Sequence, residues 1–255
     1  MSSQNVVLYE ARDGIARITL NRPEKRNALN DELIQSLKSA LRSADNDESV
    51  RVVVLSGAGA DFCSGADLAA LQKISNASVS ENLADARSLM ELLALIRHVR
   101  VPVIAAVRGR ALAGGCGLAL VCDIVLADKS ARFGFPEVKI GFVPAMVMAI
   151  LRRSVSEKKA FELIALGEEI SASEAAVIGL INHTFEDADF ESEVEAFSQS
   201  LVLLSTSALS LSKSLLYKTD GLSFIEALES GADVNVIARM SEDSRLGIKR
   251  FLKKS

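Results

Sequence analysis

The strongest constraint on the fold is a change in the pattern of apolar residues along the chain. In the first part, short apolar runs typical of buried strands, such as Arg51–Leu55 and Val103–Val107, alternate with helical segments. From about Met146 onward the pattern is almost wholly helical. We therefore predict an α/β core over residues 1–190, followed by a helical C-terminal region over residues 191–255.

Local patterns predict the individual elements of the core. Val6–Glu10 and Gly14–Leu20 predict a β-hairpin with a tight turn between its strands. Asn30 can cap a helix that runs to about Arg42. Residues 72–82 are polar and rich in Ser and Asn, which predicts a mobile loop.

Composition and charge disfavour several classes of function. The 255 residues carry a net charge of −4, whereas a protein whose main ligand is nucleic acid needs a basic surplus. The three cysteines and two histidines lack the spacing of a metal or redox motif. The N-terminus does not resemble a signal peptide, and no apolar stretch reaches the ~20 residues of a membrane span. We expect a cytoplasmic protein without a metal site, a nucleic-acid partner or a membrane anchor.

Two glycine-containing turns and one carboxylate form the best candidate for a reactive site. The turn Ser64–Asp67 and the pair Gly114 and Gly115 each follow a predicted strand, and glycine lets a ligand approach the backbone closely. Glu137 lies further on, beside Pro136, which favours an extended connection. Backbone N–H groups can hold an oxyanion while a carboxylate moves a proton. Each feature alone also fits a plain turn or an exposed carboxylate, but together they predict stabilisation of an enolate.

At these residues the chain resembles the enoyl-CoA hydratase/isomerase (crotonase) family, over about Val6 to Leu252. The resemblance implies an α/β fold built as a spiral of β-β-α turns, with a helical C-terminal trimerisation region, assembled as a homotrimer or homohexamer. The segments that carry it are Asn21–Leu29, Phe62–Leu68, Gly109–Gly117, Cys122–Ala127, Phe133–Gly141, Ser241–Asp243 and Phe251–Leu252.

The resemblance also implies a ligand and roles for individual residues. The ligand would be an acyl-CoA thioester, and no separate cofactor is expected because coenzyme A is part of the substrate. Ala66 and Gly114 would donate their N–H groups to the thioester carbonyl, and Glu137 would move the proton. The residues expected along the substrate or its CoA are Lys25, Arg26, Ala28, Ser64, Gly65, Asp67, Leu68, Gly115, Gly117, Pro136 and Met146.

One departure from the family pattern bears on the reaction. Many hydratases of this family carry a second glutamate, and the matching position here is Gly117. We predict an enoyl-CoA hydratase that uses Glu137 alone. A 3,2-enoyl-CoA isomerase remains the alternative, because moving a double bond needs one base and no water. Binding of acyl-CoA or RNA without catalysis is a further, less favoured alternative.

Overall fold

The computed structural model describes residues 5–253, apart from the side chain of Leu68. Nine strands are present in this part of the chain: β1 Val7–Arg12, β2 Ile15–Leu20, β3 Val52–Gly57, β4 Val103–Val107, β5 Arg110–Leu112, β6 Ile124–Asp128, β7 Arg132–Gly134, β8 Glu169–Ser171 and β9 His183–Phe185. Six of them form one sheet in the order β1-β2-β3-β4-β6-β9, and a smaller sheet has the order β5-β7-β8. In the larger sheet β1 is antiparallel to β2, and every other pair is parallel.

Helices connect and cover the strands. The α-helices are α1 Asp31–Asn46, α2 Leu68–Asn76, α3 Val79–His98, α4 Gly114–Leu120, α5 Ala145–Ser154, α6 Glu157–Leu166, α7 Ala172–Val177, α8 Phe190–Val202, α9 Thr206–Lys218, α10 Phe224–Met240 and α11 Glu242–Leu252. Short 3-10 helices lie at Pro23–Lys25, Pro136–Ile140 and Thr219–Gly221. The predicted hairpin and the predicted start of α1 are confirmed, since the Asn30 side chain accepts a hydrogen bond from the Leu33 N–H.

The central strands of the larger sheet are buried on both faces, whereas β1 at its edge is largely exposed. Alternate residues of a strand point to opposite faces, and β3 shows this clearly. Val53 and Leu55 contribute to the main core, which also takes in the apolar faces of α1 and α3. Val52 and Val54 contribute to a second cluster, in which Phe190 of α8 is buried. The β-rich half of the chain therefore depends on α8 to cover one face of its sheet.

The prediction of a mobile loop over residues 72–82 is wrong. Helix α2 runs to Asn76 and α3 begins at Val79. The Ser-rich composition reflects a helix start instead, because Ser78 and Glu81 form a capping box that satisfies the first free N–H groups of α3. The other polar residues of this segment, apart from Asn82, lie on the solvent side of the two helices or of the turn between them.

The prediction that the chain is wholly helical after Met146 is also too simple. Strands β8 and β9 lie in that part of the chain and pair with β7 and β6. At three residues each, they are too short to show an alternating pattern in the sequence. Within residues 5–253, no single helix is long and apolar enough to cross a membrane. Together, α8 and the segment Thr206–Gly221 are long and apolar enough for a membrane span, but the two are bent by 100° relative to each other.

The C-terminal helices are tied to the core by buried polar contacts. Lys213 of α9 forms an ion pair of 2.7 Å with Asp123 and donates hydrogen bonds to the carbonyls of Ile96 and Val101. The Tyr217 hydroxyl donates to the other Asp123 oxygen at 2.6 Å. The domain boundary near residue 190 stays a prediction. In this structure α8 packs on the larger sheet, and α9 is hydrogen-bonded to the core.

Candidate active site

A cavity of about 400 Å³ brings together the three groups that were predicted to act on the substrate. Ala66, Gly114 and Glu137 all line it. Three more of the predicted contact residues line the same cavity: Ser64, Pro136 and Met146. Most of its remaining wall is apolar and is formed by Leu29, Ile34, Ala70, Leu71, Ile74, Leu89, Ile140, Phe142, Val143 and Val147. An apolar cavity with few polar groups suits an acyl chain attached to a reacting carbonyl.

The N–H group of Ala66 is not used by the short β-bridge that this residue forms with Leu29. Ala66 forms an isolated parallel bridge with Leu29. The bridge uses the carbonyl of Gly65, which accepts from the Leu29 N–H at 2.7 Å, and the N–H of Asp67, which donates to the Leu29 carbonyl at 2.9 Å. The Ala66 N–H takes no part in this bridge and is available to an oxygen in the cavity.

Gly114 is the second candidate donor because it is the first residue of α4. The first N–H groups of a helix have no partner inside the helix. The preceding residue, Ala113, has φ 50° and ψ −127°, a conformation that is strained for a residue with a side chain. Its N–H donates to the Gly134 carbonyl at 2.9 Å, which helps to hold the strained turn. The chain thus reverses sharply where Gly114 meets the cavity.

Hydrogen bonds hold the two donor turns side by side. The Cys63 N–H donates to Arg110 and the Cys63 carbonyl accepts from Leu112, both at 3.0 Å, so the first turn is bonded to the strand that leads into the second. Gly115 packs directly on this contact, since a Cβ there would lie 2.3 Å from the Cys63 carbonyl oxygen. Gly115 does not line the cavity, and its role is to let the two turns approach.

Gly65 allows a similar close approach. Its φ of +95° is a conformation that side-chain-bearing residues rarely adopt, and a Cβ would lie 2.9 Å from the Cβ of Ala113. Like Gly115, it lies behind the cavity wall rather than in it. Substrate contact by these two glycines stays a prediction, and in the structure both let the two turns that contain Ala66 and Gly114 pack closely together.

Glu137 is a partly buried carboxylate with an unoccupied oxygen. It lies on the 3-10 helix Pro136–Ile140. Among the described residues nothing donates a hydrogen bond to its Oε2 atom, which is buried. Burial raises the pKa of Glu137 above its usual value, and a backbone hydrogen bond opposes this in part. A raised pKa and a free oxygen are properties expected of a general base that meets its proton donor only when substrate binds.

Gly117 does not reach the cavity, and its neighbour explains why. A Cβ at Gly117 would lie 2.5 Å from Cγ2 of Val147 on α5. Val147 itself lines the cavity. The place where a second glutamate would enter is therefore filled by a buried valine side chain, and α5 packs closely against α4 at this point.

The predicted CoA-contacting residues near the N-terminus lie outside the cavity wall. Lys25 and Arg26 are exposed, and Ala28 is buried. Leu68 begins α2, but its side chain lies outside the described residues. The cavity itself is not lined by any of these, and they stay predicted contacts of the CoA portion.

Asp67 is engaged by the protein itself. Its carboxylate accepts from Arg22 at 2.8 Å and from the Ala69 N–H at 2.9 Å, and the two charged side chains are only 11% and 13% exposed. These hydrogen bonds, the one from Arg22 foremost, lower the pKa of Asp67. The ion pair anchors the start of α2 next to Ala66. No local sequence pattern indicated that Arg22 would form this ion pair.

Asn27 is a second residue that the sequence analysis missed. It is fully buried, with a left-handed φ of 53°, and its side-chain NH₂ donates to the carbonyls of Ala58 and Asp61. Asn tolerates this backbone conformation better than most residues, which is the one signal the sequence offered. Within residues 5–253, no group of three or more His, Cys, Asp or Glu side chains could hold a metal ion.

Comparison with known proteins places this geometry in a family. The model of the enoyl-CoA hydratase/isomerase family matches residues 10–255. The 2,3-dehydroadipyl-CoA hydratase of Escherichia coli is 35% identical over 93% of this chain and 91% of its own length. The crystal structure of an enoyl-CoA hydratase from Mycobacterium smegmatis superposes with a TM-score of 0.94, at 30% identity, over 98% of this chain and 97% of that one.

A human structure gives the same result. Enoyl-CoA hydratase domain-containing protein 3 superposes with a TM-score of 0.92, at 30% identity, over 98% of each chain. The chain therefore belongs to the enoyl-CoA hydratase/isomerase (crotonase) family. The predicted α/β fold with a helical C-terminal region is confirmed by these superpositions.

Proposed function

We propose that this protein hydrates 2-enoyl-CoA thioesters with Glu137 as its only catalytic carboxylate. The observation that carries the proposal is that Glu137 lines the same cavity as Ala66 and Gly114. Relatives that match nearly the whole chain are named as hydratases, which supports this direction of chemistry. The apolar remainder of the cavity suits the acyl chain.

The reaction requires one proton to leave water and one to reach carbon. Glu137 takes a proton from water while the water oxygen bonds to C3, and the electrons of the C2=C3 bond move onto the thioester oxygen. The N–H groups of Ala66 and Gly114 hold this enolate, and losing one such donor costs about 3 kcal/mol in other enzymes. The protonated Glu137 then delivers its proton to C2, which restores the carbonyl and the base.

A 3,2-enoyl-CoA isomerase is the second candidate, because the position of a second acid is closed. In that reaction Glu137 removes a proton from C2 of the 3-enoyl thioester, which gives a dienolate held by the same two N–H groups. Glu137 then returns the proton at C4, and the double bond lies between C2 and C3. No water is needed, and a second carboxylate to hold one is absent at Gly117, where Val147 fills the space.

An assay with paired substrates tests both reactions. Purified protein is offered crotonyl-CoA and a 3-enoyl-CoA side by side, in deuterated water, and products are followed by mass spectrometry. Hydration predicts 3-hydroxyacyl-CoA with deuterium at C2. Consumption of the 3-enoyl-CoA alone would favour the isomerase. Tight binding of both thioesters with no turnover would favour a binding protein, and retention of RNA on a filter at physiological salt would favour the RNA alternative.

The CoA portion of the substrate is proposed to extend from the cavity toward the segment that contains Lys25 and Arg26. Both side chains are exposed and cationic, as a partner for phosphate groups requires. They lie just before Ala28 and Leu29, and Leu29 lines the cavity. The thioester would then lie at the cavity mouth, with the acyl chain inside.

A paired substitution tests the single-acid interpretation. Gly117→Glu alone would collide with Val147, so Val147→Ala is combined with it to open a path into the cavity. We expect the double variant to raise the ratio of hydration to isomerisation relative to Val147→Ala alone. Gly117→Gln with Val147→Ala is the matched control without an acid. Equal product ratios in the Glu and Gln variants would contradict the argument.

We also propose that the C-terminal helices assemble the protein into trimers. Large apolar side chains on α10 are exposed in the single chain, among them Phe224, Ile237 and Met240. Such surfaces are typical of interfaces. We expect sedimentation equilibrium to give a mass of three or six chains, and Ile237→Glu to shift it toward one. A single-chain mass for the unaltered protein would contradict the proposal.

A further inference from the structure

We infer that Asp85 selects acyl chains by the polarity of their far end, favouring a hydrogen-bond donor such as a hydroxyl and rejecting a carboxylate. The inference rests on the proposed function, because it concerns the acyl portion of the same substrate. Its basis is a carboxylate without a partner in the mostly apolar wall of the cavity, about one helical turn from a leucine that lies beside Gly114.

The position of Asp85 follows from the course of α3. Leu89 lies beside Gly114, the proposed donor to the thioester carbonyl, since its Cδ2 is 4.0 Å from the place a Cβ would take on Gly114. Asp85 lies four residues earlier on the same face of the helix, about 6 Å along its axis. Both residues line the cavity. An acyl chain that passes Leu89 therefore meets Asp85 near its distal end.

Asp85 has no partner of its own. Among the described residues none donates a hydrogen bond to its carboxylate or forms an ion pair with it within 4 Å, although the side chain is partly buried. Lys73, the cation whose charge acts on Asp85, is itself paired with Asp31 at 2.7 Å. Burial, and then the negative charge of Asp31, raise the pKa of Asp85. An unpaired carboxylate in such a place is destabilising unless a ligand donates to it.

A second cavity, of about 340 Å³, lies behind this wall and provides room for a polar chain end. Ile74 and Asp85 line both cavities. Asn82 also lines the second cavity, and its Oδ1 atom is buried without a hydrogen-bond partner among the described residues. Two acceptors without donors therefore line this second cavity, together with Lys73, which is paired with Asp31. Glu81, which also lines it, is occupied by the Ser78 cap.

The other polar groups of the acyl cavity do not compensate for Asp85. Asn30 uses its side-chain oxygen to cap α1 through the Leu33 N–H. The stem of Lys139 is directed toward the end of α6, since its Cε lies 3.3 Å from the place a Cβ would take on Gly167. A negative chain end would thus meet Asp85, and Lys73, which lines the second cavity, is already paired with Asp31. A hydroxyl would instead donate to Asp85 or Asn82.

Binding of saturated thioesters tests this inference independently of turnover. Isothermal titration would compare hexanoyl-CoA, 6-hydroxyhexanoyl-CoA and adipoyl-CoA, which have the same chain length and differ at the far end. We expect the unaltered protein to bind the hydroxyl form most tightly and adipoyl-CoA at least 10-fold more weakly. In Asp85→Asn the ratio of the Kd for adipoyl-CoA to the Kd for 6-hydroxyhexanoyl-CoA should be at least 5-fold smaller. Asp85→Leu should bind hexanoyl-CoA more tightly than the hydroxyl form.

A matched control removes a nearby charge that faces neither cavity. Glu32→Gln on α1 deletes one exposed carboxylate and should leave the order of the three affinities unchanged. Equal affinities for the three thioesters, or an order that Asp85→Asn does not alter, would overturn the inference. If the thioesters bind in the expected order but no enoyl-CoA is turned over, the proposed function fails and the selectivity stands.

Discussion

Replacing Glu137 with Gln is expected to lower kcat by about 10²- to 10⁴-fold, the usual contribution of a general acid–base group. Gln keeps the shape and polarity of the side chain but cannot accept and return a proton. Affinity for a saturated acyl-CoA should change little, because the N–H donors and the apolar wall are untouched. The measurement is kcat on crotonyl-CoA together with the Kd of butyryl-CoA.

The pH dependence provides a second test of the same residue. Glu137 must be ionised to accept a proton, and burial raises its pKa. The kcat/KM of the unaltered enzyme should therefore fall on the acid side at a pH above the ordinary pKa of Glu, about 4.3. The residual activity of Glu137→Gln should lack this limb. Glu193→Gln, on the exposed side of α8, is the control that should retain it.

The same shift predicts a change in stability. A carboxyl whose pKa is higher in the folded state than in the unfolded state favours folding while protonated, and that contribution is lost as pH rises through the folded pKa. At neutral pH the Gln variant should be at least as stable as the unaltered protein, and the free energies of unfolding of the two should converge at low pH.

Unchanged kcat in Glu137→Gln would remove this residue from the mechanism.

Gly115→Ala is expected to have the next largest effect. Its Cβ would lie 2.3 Å from the Cys63 carbonyl oxygen, which already accepts from the Leu112 N–H. The Cys63 carbonyl belongs to the backbone and is held by the Leu112 N–H, so it cannot move aside as a side chain could. The two donor turns must therefore separate. We expect kcat to fall by about 100-fold, as other misplacements of about 1 Å do. Urea unfolding should show a loss of about 1–3 kcal/mol from overpacking.

The neighbouring glycine provides the control for folding. A Cβ at Gly114 meets the tip of the Leu29 side chain at 3.3 Å, which can move aside. Gly114→Ala should therefore leave the free energy of unfolding undiminished, with its effect confined to substrate binding. Equal stability and kcat in Gly115→Ala and the unaltered protein would contradict the arrangement of the turns.

Much of the fold could be predicted from local patterns. The β1–β2 hairpin, the Asn30 cap and strand β4 leave clear marks in the sequence, because each satisfies its own turn, cap or burial requirement. The helical structure of residues 72–82 could not be predicted in this way, since Ser and Asn are common both in loops and at helix starts. Strands of three residues, such as β9, form only because a longer neighbour offers its edge.

The groups that we propose to act on the substrate were more predictable than the residues that support them. Ala66, Gly114 and Glu137 could be identified from motifs and a family resemblance, and the structure brings all three to one cavity. The packing of Val147 against Gly117, and of Asp85 in the acyl wall, joins segments that are far apart in the chain. No local pattern encodes such contacts.

The valine that fills the space beside Gly117 also limits how this enzyme can evolve. A mutation that introduced glutamate at position 117 by itself would be rejected by the collision with Val147. A smaller side chain at 147 must come first, and shortening a buried valine costs stability before any benefit appears. A lineage would need that permissive step, with stability to spare, before natural selection could act on a second acid.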